Sequence, residues 1–406
     1  MKSTLKSIKK IPKSECLVLI HSTTNKTKSA LPKLIPSATQ TVLLNFMKKQ
    51  HPNPKENKLY IFSNMSTLTT DWISIIQIND KNTDLKELRN LAADTIRKCK
   101  ENSIKTINWL IDDFLEESHL KIDKENVYQV ITEGAIIGNY SFDTFKNKKH
   151  TKKITQSIFL NTIQKNKLLI KESIQKGTII GDSSNLAKDL ANTPANYLQP
   201  KDFVKLAKEL KKNHSKIKLT IIDQEKAKKL KMGAFLSVGQ GSDSKSYIII
   251  LEHLPHPKTD KIALVGKGVT FDSGGVSLKP GRGMSNMKAD MSGAAAVFAS
   301  FSAITKLNVN KNVMAVIPVT ENMCSSKAQR PGDIVTAMNK KTIEIINTDA
   351  EGRLILADSL CYVSKDKKVT EVIDIATLTG ACSTALGNAA AGIMGKNQAI
   401  IDQFTS

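Results

Sequence analysis

The stretch Asn347-Thr348-Asp349-Ala350-Glu351-Gly352-Arg353 crowds two carboxylates and a guanidinium between an apolar, strand-like run and a helical one. Like charges at that density are costly unless a cation draws them together. A second cluster lies upstream: Gly266-Lys267-Gly268, then Asp272-Ser273-Gly274-Gly275, then Lys279 and Asp290. The two clusters together offer hard oxygen donors for a pair of divalent cations, with two lysines beside them. Any fold of this chain has to bring these charges to terms with one another.

A chain of 406 residues with ordinary apolar content, 40%, is long enough for two domains. Residues 1–150 mix short strand-like runs (16–20, 59–62) with helical ones (85–98, 104–115) and read as a small α/β domain without a chemical motif. The charged run Asn147-Lys148-Lys149-His150-Thr151-Lys152-Lys153 is the expected boundary. Residues 151–179 then read as a connecting segment, helical over 157–179. Residues 180–406 form the second domain. Here 218–222, 247–251, 262–265, 313–319, 343–346 and 372–375 read as buried strands, and 291–304 and 354–363 as helices. Such alternation predicts an α/β fold with a mostly parallel sheet covered by helices, whose active site lies beyond the carboxyl ends of the strands. Lys267 and Asp272 follow one predicted strand, and Asp349 and Glu351 another.

Each charged residue has a plain structural alternative. Gly266-Lys267-Gly268 is not a phosphate loop, because Lys267 is followed by glycine rather than Ser or Thr and the upstream glycine is missing. Ser273-Gly274-Gly275 suits an ordinary turn, or a backbone passing close to metal-bound groups. Thr348 and Glu351 match a helix capping box, and Asp290 could cap the helix after it. Neither alternative accounts for Asp349 and Arg353, nor for four carboxylates and two lysines at strand-to-helix junctions on one edge of one sheet. The seven histidines (21, 51, 119, 150, 214, 253, 256) show no metal-ligand spacing, so a histidine zinc site is not expected. An oxygen-rich site suits Mn²⁺, Zn²⁺ or Mg²⁺.

The net charge of +22 raises the question of nucleic acid. Only five of the 60 basic residues are arginine (89, 97, 282, 330, 353), and the lysines are spread along the chain. Base and phosphate readers favour arginine forks, so a solvated lysine surface is the preferred reading. Five scattered cysteines without a CxxC pair suit a reducing cytoplasm. No run approaches the roughly 20 apolar residues that a membrane helix needs. The basic start, 1–13, is followed by too short an apolar core for a secretory signal, and its lack of arginine gives little support to organelle targeting.

On these same residues the chain resembles the leucyl aminopeptidase (cytosol aminopeptidase) family of metallopeptidases. The matching pieces are 265–275, Ser277 to Pro280, Gly283-Met284, Met287-Lys288, Asp290-Met291, Arg330 to Asp333, Asn347 to Arg353 and Ala376 to Ala381, with 189–196 resembling the start of the catalytic domain. The likeness spans about 180–400. The resemblance implies an aminopeptidase that removes N-terminal, leucine-like residues from peptides with two divalent ions per subunit. Asp272 and Glu351 would bridge the ions. Lys267 and Asp290 would complete one site, and Asp349 the other, more exchangeable one. Lys279 would polarise the scissile carbonyl, and Arg353 would hold a bicarbonate base. Met287, Asn347, Thr377, Leu378 and Gly380 would lie near the substrate. Relatives assemble as hexamers. A catalytically impaired relative acting as a binding protein, for DNA among other partners, is the rival reading.

Two departures carry expectations of their own. Relatives continue for several dozen residues beyond the equivalent of Ser406, with one wall of the side-chain pocket and some oligomer contacts. A chain ending there is expected to leave apolar surface exposed and to weaken hexamer assembly. Lys340 stands in a turn where relatives commonly carry glycine, an expected cost of about 1 kcal/mol if its φ is positive.

Overall fold

The computed structural model describes residues 1–22, 31–50, 56–63, 69–79, 83–117, 123–147, 153–161, 166–366 and 368–405. His51, His119, His150 and most of the boundary expected at 147–153 lie outside these. The chain divides into two compact units. One is Met1–Asp189 with Lys306–Asn308, and the other is Leu190–Thr305 with Val309–Ser406.

The first unit carries strands β1 (Lys2–Ser7), β2 (Ser14–Ser22), β3 (Lys58–Ser63), β4 (Thr70–Ile78), β5 (Thr106–Leu110) and β6 (Gln156–Asn161). They form one sheet in the order β1-β6-β5-β2-β4-β3, parallel except for the β3–β4 pair. The central β2 is a continuous apolar run, Cys16 to Ile20, buried on both faces as parallel strands demand. Its helices are α1 (Ser37–Gln50), α2 (Leu85–Glu101), α3 (Asp112–Glu117), α4 (Lys124–Gly138) and α5 (Lys167–Asn192), and the division between the units falls within α5.

Two expectations need correcting here. Residues 104–115 are not one helix. Thr106, Ile107 and Trp109 are β-branched or aromatic and take the slot between β2 and β6, where the Trp109 indole N–H donates to Ser157 Oγ at 2.8 Å. Only at Asp112 does α3 begin. Nor is 157–179 helical throughout. Its first residues form β6, with Phe159 stacked on Trp109, and α5 runs from Lys167 to Asn192. Burial of an aromatic pair overrides the lysine spacing that suggested a helix.

The second unit holds β7 (Lys218–Ile222), β8 (Tyr247–His253), β9 (Lys261–Gly266), β10 (Gly268–Asp272), β11 (Asn312–Asn322) and β14 (Val369–Ile375) in the order β14-β9-β11-β8-β7, with β10 continuing alongside β11. The β14–β9, β9–β11 and β10–β11 pairs are parallel, and β8 runs antiparallel to both its neighbours. A separate ribbon pairs β12 (Ile334–Thr336) with β13 (Thr342–Glu344). The helices are α6 (Pro200–Asn213), α7 (Gln224–Lys229), α8 (Gly233–Val238), α9 (Ser292–Lys306), α10 (Glu351–Ser364), α11 (Gly380–Leu386) and α12 (Gln398–Thr405). Among the described residues no helix is long and apolar enough to cross a membrane.

Two strands expected to be buried are not. The 343–346 run belongs to the β12–β13 ribbon rather than the sheet. Only Ile345 is buried there, and Ile346 is 81% exposed. In β14, which among the described residues is an edge strand paired with β9, Val372 and Ile375 stay exposed. Further exposed apolar side chains follow at Leu378, Leu386, Ile393, Met394 and Phe404.

The turn between β12 and β13 holds Lys340 at φ +69°, in the left-handed region. A side chain there costs roughly 1–2 kcal/mol, against roughly 0.5–1 kcal/mol of extra chain entropy lost by glycine. Lys340→Gly is therefore expected to stabilise the protein by roughly 0.5–1 kcal/mol, read as a raised urea midpoint at unchanged slope. An unchanged or lowered midpoint would contradict the strain.

Candidate metal centre

Lys267 sits in the one-residue break between β9 and β10. The backbone holds it there from both sides, its N–H donating to Ile375 O at 3.0 Å and its carbonyl accepting from Ala294 N at 2.8 Å. The flanking glycines serve packing, since a Cβ at Gly266 would stand 2.6 Å from Gly293 O at the start of α9. The Lys267 side chain is 2% exposed, and its Nζ is enclosed by acceptors. This nitrogen lies 2.8 Å from Asp290 Oδ1 and 2.8 Å from Glu351 Oε1, and donates to Thr377 O at 2.7 Å. Thr377 Oγ1 donates to the same Asp290 oxygen at 2.8 Å.

Asp272 ends β10, opposite Asn322 at the end of β11. Its Oδ1 accepts from Gly274 N at 2.9 Å and from Asn322 Nδ2 at 2.8 Å, and its Oδ2 is 2.8 Å from Lys279 Nζ. Lys279 also pairs with Asp349 Oδ1 at 2.5 Å. Asp272, Asp290 and Glu351 are all buried, and each offers an oxygen within 4.8 Å of the others. Sequence positions 79 residues apart thus meet at the carboxyl ends of β9 and β10 and the first turn of α10.

Two buried oxygens of this cluster, Asp290 Oδ2 and Glu351 Oε2, have no hydrogen-bond partner among the described residues. Buried polar atoms are rarely left so, and a carboxylate oxygen without a donor beside other carboxylates is what a cation site provides. The donor set therefore fits divalent ions. Burial, with the charge of Glu351 adding to it, pushes Asp290 up to about 7 against the pull of Lys267 and Thr377. Burial and the charge of Asp272 likewise raise Glu351 and Asp349 above the ordinary carboxylate range. Burial works to strip the proton from Lys267, but Glu351 and Asp290 outweigh it and hold its affinity above that of an ordinary lysine. Asp272 and Asp349 do the same for Lys279.

Residues 185–406 match the cytosol aminopeptidase family catalytic domain, and residues 17–149 match that family's N-terminal domain. The chain belongs to the cytosol aminopeptidase family. It is 37% identical over 402 residues to a probable cytosol aminopeptidase of Sulfurihydrogenibium sp., covering 99% of this chain and 78% of that protein. It is 41% identical to one of Persephonella marina (78% of this chain, 64% of that protein) and 43% identical to one of Pseudomonas fluorescens (68% and 56%). The chain thus spans between about half and three quarters of the length of these relatives. Among solved structures it is similar to the bottromycin maturation enzyme BotP in complex with Mn, at a TM-score of 0.76 and 26% identity over 92% of this chain and 74% of that one.

The other expected residues lie apart from the buried knot. Arg353 is exposed in the first turn of α10, with no ion pair or side-chain hydrogen bond among the described residues. Met287 is half-buried in the 3₁₀ turn Met284–Ala289, where its carbonyl accepts from Asp290 N. Asn347 is exposed, its Oδ1 accepting from Asp349 N at 2.8 Å. Leu378 is exposed and Gly380 opens α11.

The capping alternative for Thr348 is not what forms. The residue before α10 is Ala350, without a side-chain cap, while Thr348 Oγ1 donates to Gly274 O at 2.6 Å and accepts from Ser277 N at 2.8 Å. Sequence reasoning missed Asn322 and Gly352. A Cβ at Gly352 would come within 2.7 Å of Lys267 Cε, so only glycine lets the helix close over the lysine stem. Neither has a signal in a sequence read alone, because their partners are distant in the chain.

The raised acids give the metal-free protein a pH dependence. A carboxyl whose folded pKa is raised binds its proton more tightly folded than unfolded, so its contribution is present below the unfolded value of 3.8 and is lost as pH rises toward about 7. Melting temperature in chelator is expected to fall between about pH 4 and 7 and to fall less in Asp290→Asn. Equal slopes for the two proteins would contradict the assignment.

Proposed function

We propose that the protein is a two-metal aminopeptidase that removes N-terminal, apolar residues from peptides. The buried, cation-poor cluster of Asp272, Asp290 and Glu351, with two oxygens lacking any donor, carries this reading. Asp272 and Glu351 would be shared between two ions, Lys267 and Asp290 would complete one site, and Asp349 would serve the other. Mn²⁺, Zn²⁺ or Mg²⁺ bound there supplies Lewis acidity and lowers the pKa of water. Lys267 ligates only as the neutral amine, so it must release the proton that Glu351 and Asp290 now hold, and metal binding is linked to pH.

Lys279 stays charged between Asp272 and Asp349, poised to donate to the carbonyl oxygen as negative charge develops on it. Arg353, exposed and unpaired among the described residues, would hold bicarbonate as the base. Val276 and Leu278 beside Lys279, and Leu378 beside Thr377, are exposed apolar side chains, which favours an apolar substrate residue. Met287, Asn347, Thr377 and Gly380 would border that substrate. The relatives' names and the unpaired cysteines support a cytoplasmic location, and assembly is proposed as a homo-hexamer.

Hydrolysis of leucine p-nitroanilide with added Mn²⁺ or Zn²⁺ tests this. Chelation should abolish turnover and re-addition should restore it. Lys279→Ala should lower kcat by about 100- to 1000-fold, as loss of an oxyanion donor does. Full-rate hydrolysis after chelation would refute the proposal.

A further inference from the structure

Asp272 differs from the other two clustered carboxylates in having one oxygen held by two neutral N–H donors and no lysine. Asp290 and Glu351 are paired with Lys267 and each keeps an empty oxygen, whereas Asp272 Oδ1 is held by Gly274 N and by the amide of Asn322. Asn322 is 2% exposed at the last position of β11, directly across from Asp272.

Every polar group of Asn322 that faces the centre is committed. One side-chain N–H goes to Asp272 Oδ1 at 2.8 Å and the other to Thr348 O at 3.0 Å. Both partners are pure acceptors, so the amide can face them only with its nitrogen. Its backbone carbonyl accepts from Ser273 N at 2.9 Å and from Ser273 Oγ at 2.8 Å. Thr348 in turn clamps the 274–277 turn through its hydroxyl and precedes Asp349 and Glu351. Asn322 thus stands outside both halves of the centre, on β11, and bonds to each of them, the 272–279 loop and the 347–351 loop. Its amide does so without adding charge. A lysine there would neutralise Asp272, and an acid would repel it.

We infer that Asn322 is a positioning residue that fixes the Asp272 carboxylate and spaces it from the loop bearing Asp349 and Glu351, so that the protein binds its ions tightly. The inference rests on the two-metal reading. Asn322 acts through Asp272 and the 347–351 loop, so its effect falls on metal affinity. Loss of such an outer hydrogen bond costs metal sites about 10- to 100-fold in affinity.

The test is Mn²⁺ binding to the full chain by equilibrium dialysis, with melting temperature recorded with and without Mn²⁺. Wild type, Asn322→Thr, which keeps one hydroxyl donor, and Asn322→Ala are compared. Affinity should fall in that order, by about 10- to 100-fold at Asn322→Ala, and the Mn²⁺-induced rise in melting temperature should shrink in parallel. A merely structural asparagine would lower the metal-free melting temperature and leave the Mn²⁺-induced rise unchanged, and that result overturns the inference. If Asn322→Ala does not fold, Asn322→Thr against wild type decides alone, with equal affinity counting against. Wild type that binds no Mn²⁺ would sink the two-metal reading itself. Binding by wild type and variants alike would sink only the role of Asn322.

Discussion

Lys267, buried between Asp290 and Glu351, is the interaction around which the second unit is organised. Taking an ammonium and carboxylates out of water costs several kcal/mol per ion, and only close pairing offsets it. The local architecture follows from that need. The lysine stands in a strand break, so that its backbone still bonds to β14 and to α9. Glycines 266 and 352 let backbone approach its neighbours and its stem. The pairing is nonetheless incomplete. Lys267 and Lys279 together face Asp272, Asp290, Asp349 and Glu351, two positive charges against four carboxylates. The remaining charge and the orphaned oxygens are the physical case for bound dications.

The sheet makes this concentration of charge possible. Lys267 and Asp272 lie at the carboxyl ends of β9 and β10, Asn322 at the end of β11, Thr377 just past β14, and Glu351 opens α10. Apolar burial along β11, from Val313 to Val319, fixes the strands rigidly enough that side chains at their ends keep their distances. Charged groups set on rigid elements cannot relax away from one another, so the raised pKa values of Asp290 and Glu351 persist until a cation or a proton answers them.

How far the fold was readable depended on how local its cause is. The buried runs 16–20 and 313–319 and the helices at 291–304 and 354–363 follow from short-range apolar pattern. Residues 106–110 and 156–161 did not, because Trp109 and Phe159 are strands by virtue of each other and of β2, contacts that no window of sequence contains. For the same reason 343–346 and 372–375 are apolar yet lie at a ribbon and a sheet edge. The φ of Lys340 in the Asn339-Lys340-Lys341 turn, on which the cost of a side chain there depended, is positive, since turn geometry is local.

The amino-acid sequence alone determined which residues carry charge, which motifs they form, and that the acidic stretches fall at strand-to-helix junctions. Covalent order and short-range pattern suffice for that. Only the tertiary structure decided which oxygens meet, which of them lack a donor, that Thr348 clamps a distant turn rather than capping its own helix, and that Asn322 joins two loops. Those are distances between residues remote in the chain, and they exist only once the sheet has closed.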